Sequence, residues 1–373
     1  MFYQFKYFPP FMPKKKKLYI VRKEFDGYGG AENVAKRYLT GFESFFNASL
    51  IYAGSQFEGH TFSGRHGPGW FRSLSFASSV NKFLSSRSDE LVFSMTRGIP
   101  GTIFRMGDGV HKCWLRRKKA GLLKRVSNPN HLITPILERS SIQKSKYIVP
   151  NSSLIFKELE RFYPEHKHKC KVIHNGYNQA VFKFASSSQR ELQKAEHKLS
   201  NNCLNLLFCA NGWERKGLTH ALKLLSKLAN ITPSHLWVAG RGDQHIYSQT
   251  IEKLDLPNQV TFLGTVADTR PWYQMTDLFI LPTLYDPFSN SCLEALACGC
   301  PVLTTQSNGA SECLNETNGL AVKSPRYVLH DSVIEWSKNV KNLDRKIISD
   351  SVKSLTSGNE INSYLNLLQS CGQ

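Results

Sequence analysis

The sequence lacks any apolar run long enough to cross a bilayer. A transmembrane helix needs about 20 consecutive, mostly apolar residues, and no segment of the 373-residue chain approaches that length. Hydrophobic residues make up 41% and charged residues 21% of the chain, close to the usual composition of globular proteins. The composition argues against a transmembrane protein and predicts a globular chain with room for two domains.

The N-terminus lacks the order of a signal peptide. Such a peptide begins with positive charge and continues with an unbroken apolar core. Here aromatic residues come first, a lysine run follows at 14–17, and Pro9, Pro10 and Pro13 interrupt any helix. We expect residues 1–16 to form a flexible tail, either lying on a surface or solvated without a role of its own.

The nine cysteines lack the spacing of a metal or redox motif. No two of them form a CxxC pair, and Cys298 and Cys300 are too close together for a standard zinc knuckle. Several lie in apolar segments, such as Cys209 in LNLLFCAN. Buried, reduced thiols of this kind are typical of cytosolic proteins, so a cytoplasmic location is predicted.

Acidic residues are scarce in the first half of the chain. Residues 1–183 carry 31 Lys and Arg against 12 Asp and Glu, a net charge of +19, whereas residues 184–373 carry 17 of each. This asymmetry indicates that one half faces a polyanion, either nucleic acid or an anionic membrane, although a merely solvated basic surface has the same composition. No nucleic-acid motif accompanies the charge. The segment HKCWLRRKKAGLLKR mixes basic and aromatic residues, which favours a membrane surface.

Short apolar runs alternate with helical patterns along both halves. The runs show no apolar–polar alternation, as expected for parallel strands covered on both faces. Between them, as over residues 31–42, apolar residues recur at helical spacing. The predicted strands are 17–22, 91–96, 102–107 and 147–150 in the first half, then 204–210, 235–240, 260–264, 277–282 and 301–305.

Repeated β-α-β units in two blocks predict an α/β protein of two doubly wound, Rossmann-like domains. The boundary is placed near 178–200, a largely polar region, which gives domains 1–180 and 181–373. Ligands of such sheets bind beyond the carboxyl ends of the strands, so the site is expected in the cleft between the domains. The sequence leaves open whether the last helix returns to the first domain.

The segment 281–305 carries the most informative motif. A strand ending at Pro282 leads through a loop with Asp286 into a helix that contains Glu294. Exposed amides at such a helix start bind phosphate, and the two carboxylates can accept hydrogen bonds from the hydroxyls of a sugar and a ribose. An aspartate at a helix start can equally be a simple cap.

Three weaker motifs follow other strands. Arg215 and Lys216 stand at a strand-to-helix turn, where they could neutralise a diphosphate or form an ordinary basic turn. Gly30 lies in DGYGGAE, which permits close backbone approach but is not GxGxxG. His111 ends RMGDGVH; a lone histidine is more often structural than catalytic, and Asp108 can be a turn residue.

In this order, the segments resemble a retaining glycosyltransferase of family 4 with the GT-B fold, two facing Rossmann-like domains with a cleft between them. The family signature is Glu-x7-Glu before an Ala-rich helix and a Gly-x-Pro-Val strand; here it stands as Asp286-x7-Glu294 and ALACGCPVLTT. GGAE, HNGYN, Arg-Lys-Gly and VAGRGD extend the likeness over nearly the whole chain. Arg-Lys-Gly, Phe-Leu-Gly and PVLTT are most similar to lipopolysaccharide-core glucosyltransferases that use UDP-glucose.

The resemblance implies a hexosyltransferase that retains the anomeric configuration and moves glucose from UDP-glucose to a lipopolysaccharide-core or other membrane-associated glycan. Arg215 and Lys216 would grip the diphosphate and stabilise departing UDP. Glu294 would hold the ribose, and Asp286 would contact hydroxyls of the transferred sugar. No metal or other cofactor is expected, because two cations replace it.

The resemblance also assigns supporting roles. Gly30 would let its loop approach the diphosphate, and His111 would sit near the sugar. Backbone amides around Phe288, Ser289 and Asn290 would help to hold phosphate and sugar. The aspartate at 286 replaces the usual glutamate with a side chain one methylene shorter, which leaves the identity of the sugar, more than the reaction type, open.

The expected partners are a UDP-sugar donor, a glycolipid or oligosaccharide acceptor and an anionic membrane surface, which implies a peripheral location on the inner face of the cytoplasmic membrane. No nucleic acid is expected. The alternatives are a sugar-nucleotide epimerase of the same architecture, which would need no acceptor, and a basic nucleic-acid-binding protein suggested by the charge. A catalytically inactive relative of the family is a further alternative.

Overall fold

The computed structural model of the protein describes residues 15–25, 30–117 and 128–371. These residues form two parallel sheets, one in each half of the chain, each covered by helices. The tail predicted over 1–16 lies outside the described residues except for its last two positions. No helix of the described ranges is both long and apolar enough to span a membrane.

The first sheet has five parallel strands in the order β2-β1-β5-β6-β7. The chain order reverses between β1 and β5, so the carboxyl ends of these two strands form the point where ligands of doubly wound sheets bind. A short antiparallel hairpin, β3 and β4, follows β2. The strands are β1 (Lys17–Val21), β2 (Asn47–Ile51), β3 (Gln56–Phe57), β4 (His60–Thr61), β5 (Leu91–Ser94), β6 (Ile103–Met106) and β7 (Tyr147–Pro150).

The second sheet has six parallel strands in the order β10-β9-β8-β11-β12-β13. Counted from the first strand of this half, the order is 3-2-1-4-5-6, that of dinucleotide-binding Rossmann folds. The chain order reverses between β8 and β11. The strands are β8 (Leu204–Cys209), β9 (Ser234–Ala239), β10 (Val260–Gly264), β11 (Leu278–Leu281), β12 (Val302–Thr305) and β13 (Gly319–Val322).

Helices cover both faces of both sheets. The predicted helix over 31–42 corresponds to Gly30–Glu43 (α1), and the predicted helix that contains Glu294 corresponds to Asn290–Ala297 (α11). The helices are α1 (Gly30–Glu43), α2 (Gly69–Leu84), α3 (His111–Arg117), α4 (Pro129–Lys144), α5 (Ser153–Phe162), α6 (Ser187–Glu196), α7 (Trp213–Lys216), α8 (Leu218–Ala229), α9 (His245–Lys253), α10 (Arg270–Met275), α11 (Asn290–Ala297), α12 (Asp331–Lys338), α13 (Arg345–Asp350) and α14 (Ser357–Gln369).

Strand β1 shows why the first sheet is apolar without alternation. Leu18 and Ile20 pack on one face, in the cluster that contains α1 and α14. Tyr19 and Val21 pack on the other face, against α2. All four side chains are fully buried. A strand covered on both faces has no polar side, so its sequence is a continuous apolar run.

The last helix, α14, packs against α1 of the first half. The rings of Tyr38 and Tyr364 lie 5.4 Å apart, and Leu365 and Leu368 are buried in the same cluster. The chain therefore passes between the two halves twice. The two passages are paired by hydrogen bonds, since the backbone of Tyr177 donates to Leu355 at 3.0 Å and accepts from Ser357 at 2.8 Å.

Candidate functional site

A cleft of about 1290 Å³ lies between the two sheets. Arg22, which follows β1, and Arg105 and Gly107 at the end of β6 line it from the first half. Asn211 and Gly240, which lie beyond β8 and β9, line it from the second half. The carboxyl ends of both sheets thus meet in one cavity, at the place where doubly wound sheets bind their ligands.

The turn that carries Arg215 and Lys216 is the single-turn helix α7. Glycines in the left-handed conformation flank it, with φ of 72° at Gly212 and 88° at Gly217. A Cβ at Gly217 would lie 2.0 Å from the carbonyl oxygen of Pro282, so only glycine lets this turn approach the end of β11. The approach places the two cations against the loop that follows β11.

Arg215 and Lys216 both contact that loop, although each lies 70 residues before its partner in the chain. The Arg215 guanidinium donates to the carbonyl oxygen of Tyr285 at 2.9 Å. The Arg215 carbonyl accepts from the Leu284 amide at 2.9 Å and the Thr283 hydroxyl at 3.1 Å. The Lys216 ammonium forms an ion pair with Asp286. Arg215, Lys216 and Asp286 all line the cleft.

The loop after Asp286 leads into α11 at the cleft wall. Asp286 is 7% exposed, and its amide donates to the Ser307 carbonyl at 3.0 Å. The Ser289 amide donates to the Asn308 side chain at 3.1 Å. This hydrogen bond already uses one of the amides expected to hold phosphate, whereas Asn290 begins the helix and lines the cleft.

Phe288 serves packing as well as the cleft surface. Its side chain is 5% exposed and belongs to the core of the second half. Its ring also lies 5.8 Å from that of His174, which belongs to the segment linking the two halves. Phe288 therefore fixes the path of the loop between Asp286 and α11.

Glu294 lies on α11 and faces the same cleft. The Tyr273 hydroxyl donates to its carboxylate at 3.2 Å. Burial raises the pKa of Glu294 to about 7, a change that the Tyr273 hydrogen bond and the charge of Arg37 partly oppose. Arg37 belongs to α1 in the first half and Tyr273 to the second half, so side chains of both halves affect the pKa of Glu294.

His111 begins α3, beside the first-half wall of the cleft. Its amide donates to Glu138 at 3.0 Å, and its ring nitrogen lies 3.3 Å from that of His131. Burial, with Arg97 and His131 nearby, lowers the pKa of His111 to about 4, so the ring is neutral near pH 7. Gly107 and Asp108 of the preceding turn line the cleft; a contact of His111 with the sugar stays a prediction.

Gly30 begins α1. The preceding part of its motif, residues 26–29, lies outside the described residues. The close approach expected of this loop to a diphosphate therefore also stays a prediction.

Tyr285 was not singled out from the sequence, yet it joins the two halves. Its ring is buried among residues of the first half, and its hydroxyl donates to Glu158 at 2.7 Å. A Cβ at Gly109 would lie 2.0 Å from this hydroxyl. A tyrosine next to an acidic motif gives no sequence signal for such a contact, because its partners lie on α5 and on the turn before α3.

The arginines of the first-half wall were also missed. Arg105 is 7% exposed, and its guanidinium donates to the Asn175 side chain at 2.6 Å. Asn175 in turn donates to Asn290 of α11 at 2.7 Å. A charged residue within the apolar strand IFRM was the available signal, since a buried charge requires a specific partner.

Comparisons with known proteins agree with this geometry. Residues 204–338 match the family model of the glycosyl transferases group 1. The expected resemblance to glycosyltransferases is confirmed. An uncharacterized glycosyltransferase of Methanocaldococcus jannaschii is 27% identical over 54% of this chain and 52% of that protein. The lipopolysaccharide core biosynthesis glycosyltransferase LpsE of Rhizobium meliloti is 31% identical over 29% of this chain and 32% of that protein.

Solved glycosyltransferases share the fold over almost the whole chain. WaaG, a glycosyltransferase involved in lipopolysaccharide biosynthesis, superposes with a TM-score of 0.72 and 16% identity, covering 95% of this chain and 98% of WaaG. Anabaena HepE in complex with UDP and glucose superposes with a TM-score of 0.67 and 15% identity, covering 95% and 100%. The predicted GT-B fold, with two facing Rossmann-like domains, is confirmed.

The two kinds of match differ in extent. The chain spans about half or less of the length of the curated relatives described above, whereas the structural matches cover nearly all of both chains. The glycosyl transferase match contains Arg215, Lys216, Asp286 and Glu294, which all lie within residues 204–338.

The raised pKa of Glu294 predicts a pH-dependent contribution to stability. The folded protein keeps this proton up to about pH 7, whereas the unfolded chain releases it near pH 4.5. The contribution is therefore complete at low pH and is lost as the pH rises from about 4.5 to about 7. The free energy of unfolding of the wild type minus that of Glu294→Gln should fall over this range and stay constant above it.

Urea denaturation of both proteins at several pH values measures this difference. Glu316→Gln provides the control, since Glu316 is exposed and the same chemical replacement there leaves Glu294 in place. A Glu294→Gln difference that is independent of pH would contradict the raised pKa.

Proposed function

We propose that the protein is a retaining glycosyltransferase that moves a hexose, glucose from UDP-glucose, to a lipopolysaccharide-core or other membrane-associated glycan. One observation carries the proposal. Arg215 and Lys216 meet Asp286 and Glu294 in a single cleft between two Rossmann-like sheets. The names of LpsE and WaaG support the acceptor class, and the UDP and glucose bound to HepE support the donor.

When the donor binds, the ion pair of Lys216 and Asp286 would be replaced by contacts of each side chain with the donor. In the structure the two side chains neutralise each other, and both are largely buried. A bound donor would offer its diphosphate to Lys216 and its sugar hydroxyls to Asp286. Both charges thus keep a partner in a poorly solvated site, where an unpaired charge would be costly. Arg215 would complete the diphosphate contact beside Lys216.

The same groups would stabilise the transition state. Negative charge builds up on the departing UDP, and fixed cations aimed at that charge lower the barrier more than they stabilise the bound donor. We propose that the acceptor hydroxyl attacks from the face that UDP leaves, so that configuration is retained, and that a donor phosphate oxygen takes its proton. The two cations would make a metal ion unnecessary.

Glu294 would bind the nucleotide and would take no part in breaking or forming the glycosidic bonds. It lies on α11, and its carboxylate already accepts a hydrogen bond from Tyr273. The two ribose hydroxyls would supply further donors to the same carboxylate. Asp286 and Glu294 thus would not form the nucleophile and acid pair of glycoside hydrolases.

The first half carries features that suit a membrane surface. Phe71 on α2 is 49% exposed, and Leu132 and Ile136 on α4 are 55% and 64% exposed. Helices α2 and α4 pack against each other. Large exposed apolar side chains combined with basic residues are typical of interfacial binding. We therefore propose peripheral binding to the cytoplasmic membrane through this half.

The basic run Arg116–Lys119 within HKCWLRRKKAGLLKR is the proposed membrane patch, but one of its members, Arg117, faces the protein interior. Arg117 donates to Glu158 at 2.5 Å and lies 4.6 Å from the centre of the Tyr285 ring. Arg116 is exposed and lies over the Phe162 ring, while Lys118 and Lys119 lie outside the described residues. Arg117 therefore holds the contact between the domains, and the proposed membrane patch is better tested without it.

A thermal-shift screen of sugar nucleotides tests the proposed donor. A ligand that binds only the native state at 100 times its Kd stabilises it by about 2.7 kcal/mol. UDP-glucose should raise the melting temperature more than GDP-glucose or ADP-glucose, also in the presence of EDTA. Release of an isomerised sugar from donor alone would favour the epimerase alternative, and a screen without any selective shift would contradict the proposal.

Replacement of Lys216 tests the proposed role of the cations. Lys216→Ala should lower turnover about 100-fold to 1,000-fold, because one of two fixed donors to the leaving group is removed. Lys346→Ala is the matched control, since Lys346 also pairs with an aspartate, Asp350, and is itself exposed on α13. Melting curves check that both variants are folded. Near-normal transfer by folded Lys216→Ala would remove this residue from the catalytic set.

Flotation with acidic liposomes tests the membrane surface. Replacement of Arg116, Lys118 and Lys119 by glutamine should reduce flotation, because attraction to an anionic leaflet amounts to about 1 kcal/mol per basic residue. The control replaces three exposed lysines of the second half, Lys323, Lys346 and Lys353. Undiminished flotation would count against the patch. A complex with duplex DNA that survives excess vesicles would favour the nucleic-acid alternative.

A further inference from the structure

Charge is distributed unequally over the two walls of the cleft. The first-half wall is formed in part by four cationic side chains, Arg22, Lys36, Arg37 and Arg105, and by one carboxylate, Asp108. The second-half wall has three cationic and two acidic side chains. These are Arg215, Lys216, Arg241, Asp286 and Glu294. Among the lining residues that the structure describes, the excess of positive charge therefore lies mainly on the first-half wall.

Two of the first-half cations share one buried carboxylate. Glu360 of α14 is 3% exposed and pairs with Arg37 at 2.5 Å. It also accepts a hydrogen bond from the hydroxyl of Tyr38, which in turn accepts from Arg105 at 2.8 Å. Arg105 otherwise donates to the neutral side chain of Asn175. One negative charge thus serves two guanidinium groups that both line the cleft.

The other two cations are also weakly compensated. Arg22 lies 3.8 Å from the Asp108 carboxylate, which Arg97 approaches to 3.9 Å, so this carboxylate too stands between two guanidinium groups. Lys36 is exposed on α1, with its ammonium 5.5 Å from the centre of the Phe25 ring. Among the side chains that the structure describes, the four cations keep an excess of two positive charges after Glu360 and Asp108 are counted.

The proposed donor does not account for this excess. A nucleotide sugar carries two negative charges on its diphosphate. The second-half wall has a surplus of one positive charge, or two where Glu294 holds its proton, as its pKa of about 7 allows. The donor thus balances its own wall, whereas the cations of the opposite wall are only partly compensated by the described carboxylates. An anion in the cleft would stabilise the buried ones among them.

We propose that the wall formed by Arg22, Lys36, Arg37 and Arg105 binds an anionic group, a phosphate or a carboxylate, carried by the acceptor. This inference rests on the proposed function, since it assigns the substrate class of the same site. Guanidinium groups are suited to such anions because their N–H donors form paired, charge-assisted hydrogen bonds. Arg105 sits one hydrogen bond from Asn175, which contacts Asn290, so the anion would bind close to the donor helix.

Calorimetric titration of the UDP-saturated enzyme tests this inference. UDP fills the donor site first, and glucose 6-phosphate, glucuronate and neutral glucose are then titrated separately. At least one charged sugar should bind about tenfold or more tightly than glucose, and added salt should weaken its binding. Tighter binding of glucose 6-phosphate assigns a phosphate, and tighter binding of glucuronate assigns a carboxylate.

Variants locate the anion. Arg105→Gln should weaken binding of the charged sugar about tenfold and leave that of glucose unchanged. Lys36→Gln removes an exposed charge and serves where the buried Arg105 variant unfolds; its expected loss is about threefold. Arg87→Gln is the matched control, since Arg87 pairs with Glu58 outside the cleft lining.

The outcomes separate the two proposals. Failure of UDP to bind would overturn the proposed function and this inference with it. Binding of UDP without any preference for charged over neutral sugars would overturn the anionic acceptor alone. A preference that both Arg105→Gln and Lys36→Gln leave unchanged would also overturn the assignment to this wall.

Discussion

The site depends on the adjacency of β8 and β11 in the second sheet. These strands are neighbours because the Rossmann order reverses between them. The loops that follow them therefore meet, and Gly217 lets one lie directly on the other at Pro282. The ion pair of Lys216 and Asp286 then brings a cation and a carboxylate from distant parts of the chain together. Without this strand order, neither side chain would have a partner in the cleft.

The same loop also holds the two domains together. Tyr285 places its ring in the first domain, and the Pro287 carbonyl accepts from the Ser152 hydroxyl at 2.8 Å. A second segment, which follows β12, adds to this contact. Its Glu312 accepts hydrogen bonds from two amides at the start of α5, at 2.7 and 2.9 Å, where the helix dipole also favours a carboxylate. Asp286, which would contact the donor, thus lies between two residues, Tyr285 and Pro287, that join the domains. A change in the angle between the domains would therefore move Asp286 relative to the first-half wall of the cleft.

The sequence predicted the elements whose signal is local. Interior strands such as β1 and β11 are continuous apolar runs, and the order of the glycosyltransferase motifs indicated the fold. The edge strands β2 and β13 were missed. The first, NASLI, mixes polar and apolar residues, and the second, GLAV, is only four residues long. The contacts of Tyr285 and Arg117 depend on which surfaces two domains present to each other. Neither period nor spacing encodes that arrangement, so the inward direction of Arg117 could not be predicted from a basic run.

The positive charge of the first half occupies two different environments in the structure. A net charge of +19 over residues 1–183 indicates a polyanionic partner but cannot say where the charge lies. The structure divides it between exposed residues such as Arg116 and the cleft wall with Arg37 and Arg105. These places differ physically, since an exposed cation is solvated by water whereas a buried one needs a fixed counter-charge. Glu360 supplies only one such charge to two guanidinium groups, so the described part of the chain leaves the wall incompletely neutralised. The proposed anionic acceptor would supply the remaining compensation, so the charge asymmetry that suggests a membrane also bears on the choice of substrate.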